Sequence, residues 1–87
     1  MITFYWAKAD RALYYVRDNP GGRGPKVGKV WRADMGHASG SFYNILIDYD
    51  GHFYSGVERA SPITALKFAE ARMREFFPDA EFVKEGF

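Results

Sequence analysis

Helical periodicity occurs in one segment of this 87-residue sequence, close to its C-terminal end. Ser61 is a favourable N-cap residue, Pro62 suits the first helical position, and Pro78 ends a helix that precedes it. Between them an apolar stripe recurs at helical spacing, made of Ile63, Leu66, Ala69, Met73, Phe76 and Phe77. We therefore expect one helix over residues 62–77, with the rest of the chain in strands and loops.

The residues before the helix show the alternation and the Gly/Pro punctuation of antiparallel strands. The predicted order is strand 2–7, turn 8–11, strand 12–18, a Gly/Pro-rich loop 19–26, strand 27–33, loop 34–40 and a hairpin over 41–59. After the helix, residues 81–84 form either a short edge strand or a tail. We expect an α+β fold in which an antiparallel sheet of about five strands carries one C-terminal helix on one face.

The hairpin has two candidate registers. A two-residue turn at Asp50-Gly51 would place Phe53 and Val57 on the same face as Asn44 and Asp48. A three-residue turn, with the glycine at the left-handed position of a bulge, gives a uniformly apolar face. On that face the opposed pairs are Ile47–Phe53, Ile45–Ser55 and Tyr43–Val57. Because a one-residue slip would destroy this face, we expect the three-residue turn and a helix docked on it.

Length and composition indicate one domain over residues 1–87. The chain has no cysteine, which excludes disulfides and thiolate zinc sites and fits a reducing compartment. Its first apolar run meets Lys8 too soon for a signal peptide, and no run approaches the ~20 residues that cross a bilayer. We expect a cytoplasmic protein with no membrane association.

The net charge of +1 conceals an asymmetry between the two parts of the chain. Residues 1–32 hold seven Lys or Arg against two Asp, whereas residues 33–87 hold five basic against nine acidic residues. The basic excess favours an anionic partner for the N-terminal part. Folding that interleaves the two parts would cancel that field, so both readings stay open.

Catalytic and metal-binding patterns are missing from the sequence. His37 and His52 are the only histidines, there is no Gly-x-Ser-x-Gly motif, and His52 follows a turn glycine, where we expect it to point into solvent. The run from Asp48 to His52 lacks the ligands that complete a calcium loop. We expect no enzyme activity, no catalytic or metal-ligating residue and no cofactor.

Aromatic residues are more numerous than one helix can cover. Eight Phe, six Tyr and two Trp imply that some rings lie on the other sheet face, at its rim or in a homodimer interface. Exposed aromatic and arginine side chains are the usual anchors of interfaces. The predicted partner-binding residues are Arg17, Arg23, Lys26, Lys29, Trp31, Arg32, Tyr54 and Phe68.

Two resemblances bear on the partner. Successive strands, a Tyr-Asp-Gly hairpin at 49–51 and a helix that opens Ser61-Pro62-Ile63-Thr64-Ala65-Leu66 resemble, in outline, small phage and prophage proteins, including anti-CRISPR proteins. That resemblance implies an inhibitor that binds and blocks a host defence complex. The strand-strand-strand-helix order is also similar to small DNA-binding domains of mobile elements. Neither resemblance carries a functional residue to this chain.

We expect a non-catalytic binding protein that occupies the surface of a protein or ribonucleoprotein partner, in the manner of a phage-type inhibitor. The alternative is a small nucleic-acid-binding domain that uses the basic loop and the sheet face.

Overall fold

An up-and-down meander of five strands precedes the helix, and a sixth strand follows it. The elements are β1 (Thr3–Asp10), β2 (Leu13–Arg17), β3 (Lys26–Arg32), β4 (Phe42–Tyr49), β5 (His52–Arg59), α1 (Pro62–Phe76) and β6 (Glu81–Glu85). The computed structural model describes residues 2–34 and 41–87. Residues 35–40, which include His37 and most of the second predicted loop, lie outside the described residues. The α+β class is confirmed, and within these described residues α1 is the one helix, as predicted.

The sheet is larger and more mixed than the sequence predicted. Its six strands lie in the order β5-β4-β3-β2-β1-β6, and β6 pairs in parallel with β1 while all other neighbours are antiparallel. The parallel pair follows from chain direction. In a meander β1 and β5 run the same way, and α1 returns the chain across the sheet, so the next strand runs in the direction of β1. The predicted antiparallel arrangement is therefore correct for the first five strands, and of the two alternatives for residues 81–84 the structure adopts the edge strand, which makes the sheet six-stranded and mixed.

The core lies between α1 and one face of the sheet. Ser61 caps the helix, since its Oγ accepts the backbone N–H of Thr64 at 3.3 Å. Fully or almost fully buried side chains from four strands meet the helix residues Ala65, Leu66, Ala69 and Met73; they are Phe4, Trp6, Tyr14, Val16, Val30, Tyr43, Ile45 and Ile47. The Trp6 Nε1–H donates to the Glu70 carboxylate at 3.0 Å, so the largest core side chain has its polar group satisfied.

The β4–β5 hairpin has the register that the sequence analysis rejected. Ile47 pairs with Tyr54 and Tyr49 with His52, which leaves Asp50 and Gly51 as a two-residue turn with φ of 51° and 78°. Two positive φ values match the primed turn whose twist suits paired strands. Phe53 and Val57 therefore point away from the helix and are 63% and 48% exposed.

The rejected register also changes the surroundings of His52. Even-numbered residues of β5 share the face that α1 covers, because they pair with buried residues of β4. The His52 ring stacks on Phe76, with centroids 4.8 Å apart and an interplanar angle of 21°, and meets Phe77 edge-on. The expectation that His52 points into solvent was wrong, since its ring packs against Phe76 and Phe77.

Candidate partner-binding face

No described helix or strand packs on the side of the sheet opposite α1, here called the open face. The strand registers place alternate residues of five strands on it. They are Tyr5, Ala7, Leu13, Tyr15, Arg17, Lys29, Trp31, Asn44, Leu46, Asp48, Phe53, Ser55 and Val57. This set combines basic, aromatic and aliphatic side chains, which is the composition typical of an interface.

Basic and aromatic side chains alternate at the centre of the open face. The Lys26 ammonium lies 4.1 Å from the Tyr15 ring centroid, and Lys29 lies 6.0 Å from that ring and 4.4 Å from Trp31. The Arg17 guanidinium is 5.8 Å from Tyr15. We call these five residues the cation–aromatic cluster. Each cation is held over a ring at the distance of a favourable cation–π contact, so the positive groups are positioned before any partner binds.

A shallow recess of about 230 Å³ lies beside this cluster. It is lined by Tyr15, Lys26, Val27, Gly28, Lys29, Leu46 and Asp48. Gly28 contributes only backbone to the recess, and it is required by the packing on the other side of the sheet: a Cβ there would point to the covered face, 2.7 Å from Val16 Cγ1 and 3.0 Å from the Leu46 carbonyl oxygen. Asp48 adds one carboxylate to an otherwise basic rim.

The loop between β2 and β3 is tied to the open face at two points. Arg17 Nε donates to the Gly24 carbonyl at 3.3 Å, and the Gly21 N–H donates to both carboxylate oxygens of Glu85 at 3.1 Å. Arg17 and Glu85 both lie on the open face, since they pair with Tyr5 and Ala7. The loop therefore leans over the β1–β6 side of that face, and the exposed Arg23 stands in it.

The β4–β5 side of the open face carries three apolar side chains, each paired with a polar one. Leu46 pairs with Ser55, and the neighbouring pairs on the same face bring in Val57 and Phe53. We call Leu46, Phe53 and Val57 the apolar strip. It adjoins the cation–aromatic cluster because Leu46 pairs with Lys29 across β3 and β4.

The structure brings four of the eight predicted partner-binding residues together: Arg17, Lys26, Lys29 and Trp31. Three others lie elsewhere. Arg32 pairs with Tyr43 and so belongs to the covered face. Tyr54, predicted for the face away from the helix, lies on the helix side under Arg72, whose Cζ is 4.9 Å from the ring centroid. Phe68 is 39% exposed on the helix, remote from the sheet face. The misplacement of Tyr54 follows from the wrong hairpin register.

The covered face shapes the acid–base properties of two tyrosines. Burial raises the pKa of Tyr43, the nearby Tyr14 adds to that rise, and the Arg32 charge opposes it. The pKa of Tyr49 is raised mainly because its hydroxyl donates to the Asp18 carboxylate, at 2.9 Å, with burial and the charges of Asp18 and Asp50 adding to the effect. Both hydroxyls therefore stay protonated at neutral pH and act as structural groups.

Folding keeps much of the basic part of the sequence in one place. Because β1, β2 and β3 are neighbours in the sheet, Arg17, Lys26 and Lys29 converge at its centre. β6, which carries Glu81 and Glu85, joins the sheet beside β1, so β1 separates these carboxylates from the cluster on β2 and β3. At the centre of the sheet the basic residues therefore stay together, whereas at the β6 edge the acidic C-terminal part lies next to the basic N-terminal part.

The predicted partner-binding residues did not include Tyr15 or any residue of the apolar strip. Asp50-Gly51 is the strongest two-residue hairpin signal, and taking it at face value would have placed Phe53 and Val57 on the open face. Tyr15 would have followed from assigning Tyr14 and Val16 to the core face of β2, since alternate residues point to opposite sides.

Other kinds of site find little support in the geometry. Across residues 2–34 and 41–87 there is no group of three or more His, Cys, Asp or Glu side chains placed to hold a metal ion. Within the same ranges α1, at 15 residues, is the only helix and is too short and too polar to cross a membrane. Comparisons with protein-family models, with curated proteins and with solved structures returned no match.

Proposed function

We propose that the protein is a non-catalytic binding protein that occupies the surface of an acidic protein partner with the open face of its sheet. The observation that carries this proposal is the cation–aromatic cluster beside the apolar strip. Ammonium groups fixed over Tyr15 and Trp31 are ready to meet carboxylates, and Phe53 and Val57 supply apolar area to bury.

A protein partner fits this face better than a nucleic acid for two reasons. The rings of Tyr15 and Trp31 already carry lysine ammonium groups, so a base could stack there only by displacing them. The apolar strip offers nothing to a phosphate backbone, whereas contiguous exposed apolar side chains are typical of protein interfaces.

Single-stranded nucleic acid is the second candidate, favoured by one specific arrangement. Tyr15 and Trp31 lie on adjacent strands with Arg17, Lys26 and Lys29 around them. Sheets that bind single strands combine stacking rings with cations that follow the phosphates in this way. Such binding would weaken steeply with salt, by about 0.7 units of log–log slope per phosphate contact.

The biological role we assign to the binding is inhibition, as the resemblance to small phage-encoded proteins implies. An inhibitor of this kind needs no chemistry of its own, because occupying a functional surface of a host protein or ribonucleoprotein complex is enough. Affinity purification with a phage-type inhibitor as the bait should therefore recover one stoichiometric host complex.

The test is affinity purification from a host lysate with three matched baits. The first is the unmodified protein, and the second is the double variant Lys26→Glu with Lys29→Glu. The third is Arg32→Glu with Lys67→Glu, which changes the net charge equally but acts on the covered face and the helix. Recovered material is treated with nuclease and eluted with a salt gradient.

We expect the unmodified protein and the third bait to retain the same partner and the second to lose it, because exposed charges contribute little to folding. Phe53→Ala should also weaken the complex if the apolar strip is buried in it. Equal loss with both double variants would overturn the assignment of the open face. Nuclease-sensitive recovery with a steep salt slope would select the second candidate.

A further inference from the structure

The two edges of the sheet are built differently. The β6 edge is five residues long and carries Glu81, Lys84 and Glu85, charges of the kind that protect an edge from pairing. The β5 edge is eight residues long, contains neither Lys nor Pro, and has its two charged residues, Glu58 and Arg59, at its C-terminal end. Its open-face side chains include Phe53 and Val57, which are 63% and 48% exposed. A long edge that carries no Lys, Arg, Asp or Glu from residue 52 to residue 57 and exposes apolar residues is a template for another strand.

The hydrogen-bond pattern identifies which groups of β5 point outward. The Ala60 N–H donates to the Ser41 carbonyl at 3.0 Å, which continues the β4–β5 ladder by one pair. Because bonded pairs alternate along an antiparallel ladder, Glu58, Gly56 and Tyr54 also bond to β4. The N–H and C=O groups of Phe53, Ser55 and Val57 then face away from the sheet, and in the described part of the chain no backbone group pairs with them.

We propose that the protein forms a two-fold symmetric dimer in which the β5 edges of two copies pair antiparallel, with the axis at Ser55. Ser55 then lies opposite Ser55 of the second copy, and Phe53 lies opposite Val57 of the second copy. These pairs join the outward groups through about six backbone hydrogen bonds, two per bonded pair. His52 lies opposite Glu58 of the second copy on the covered face.

This register is favoured because it matches side chains on both faces. It sets an aromatic ring against a β-branched side chain on the open face and an imidazole against a carboxylate on the other, which are favourable cross-strand pairs. Moving the axis to Gly56 would oppose Phe53 to Arg59 and Val57 to Ser55. Moving it to Tyr54 would oppose Phe53 to Ser55. Both shifts lose the apolar pair.

The helices leave room for the second copy. α1 lies mainly over β4. In the dimer the two β4 strands are three strand spacings apart, because the two paired β5 strands lie between them. Three spacings of about 4.8 Å place the two helix axes roughly 14 Å apart. Packed helices need 8–10 Å. The dimer is then a continuous sheet with both helices on one side, and the two apolar strips meet at its centre.

The test compares matched valines on the two edges. Val57 on β5 and Val83 on β6 are 48% and 43% exposed. Sedimentation equilibrium over a concentration series should show the mass of the unmodified protein rising from 10.0 kDa towards twice that value. Val57→Lys should raise the dissociation constant at least about tenfold, since the charge enters the seam twice. Val83→Lys should follow the unmodified protein.

A second variant and a direct readout keep the proposal falsifiable should Val57→Lys fold poorly. Ser55→Pro removes an outward N–H, a position where an edge strand tolerates proline, and should also abolish the dimer. Hydrogen exchange should protect the amides of Phe53, Ser55 and Val57 only at concentrations that favour the dimer. A mass of 10.0 kDa at every concentration, or dissociation by Val83→Lys alone, would overturn the proposal. The dimer needs no partner, so its failure would leave the proposed function standing.

Discussion

The two faces of the sheet are made by alternate residues of the same strands, yet they have different roles. Ile45 and Ile47 are buried under α1, whereas Leu46, between them, belongs to the open face. Both faces carry large apolar side chains, for Trp31 and Phe53 lie on the open one. The helix covers one face, and the side chains buried beneath it are all hydrophobic, whereas the open face mixes its apolar side chains with charged and polar ones such as Lys29 and Asp48.

That comparison explains why the open face is a candidate for binding. A monomer leaves such apolar area exposed only at a cost, because each buried square ångström contributes about 25 cal/mol. The helix cannot reach it, since α1 packs on the opposite side of the sheet, mainly over β4. The exposed rings and aliphatic groups are therefore available to a partner, to a second copy or to both.

The largest predicted effect separates the faces by truncating two adjacent residues of β4. Ile47→Ala should lower the free energy of unfolding by about 2–5 kcal/mol, because the side chain is 1% exposed and leaves a cavity beneath α1. Leu46→Ala should lower it by about 1 kcal/mol, since only part of its area leaves water on folding. Urea denaturation of both variants measures the difference.

An equal loss from the two variants would contradict this contrast. It would mean that the open face is covered in solution, and a Leu46→Ala effect that grows with protein concentration would identify a second copy as the cover. Lys67→Ala, an exposed change on the helix, serves as the neutral control.

A smaller effect is expected at the turn that sets which residues of β5 lie on each face. Gly51→Ala should cost about 1–2 kcal/mol, because alanine at a φ of 78° adopts the strained left-handed conformation. Asp50→Asn should be close to neutral, since asparagine tolerates its φ of 51°. Thermal unfolding of the two variants provides the comparison, and a neutral Gly51→Ala would contradict the two-residue turn.

The order of the first five strands and the helix could be predicted because each has a local signal. Ser61, Pro62 and Pro78 bracket the helix, and Gly/Pro clusters separate the strands. The pairing of β6 with β1 joins residues far apart in sequence, so no local pattern encodes it, although chain direction alone fixes that such a pair must be parallel.

The candidate site was harder to predict because both faces of the hairpin are apolar enough to pass for a core. The three-residue turn was predicted because it gives a uniformly apolar face, whereas the two-residue turn of the structure gives a mixed one. That wrong register placed Phe53 and Val57 in the predicted core and Tyr54 outside it. Turn chemistry at Asp50-Gly51 was the more reliable signal, because it acts on two residues and does not depend on which face is covered.

The smallest predicted effect lies where the covered face meets the β2–β3 loop, at the hydrogen bond from Tyr49 to Asp18. Because this contact and burial raise the Tyr49 pKa, the folded protein holds the phenol proton more tightly than the unfolded chain. The resulting stability is present below the unfolded pKa of about 10 and is lost as pH rises through the folded pKa.

Tyr49→Phe should cost about 1 kcal/mol at neutral pH. It should also make the alkaline decline shallower without abolishing it, because burial raises the pKa of Tyr43 as well. Urea denaturation from neutral to alkaline pH measures both effects. Asp18→Asn keeps an acceptor but removes the charge, so the pKa of folded Tyr49 should be raised less, and the alkaline decline should be smaller and complete at a lower pH. An unchanged profile in both variants would show that the contact does not hold the proton.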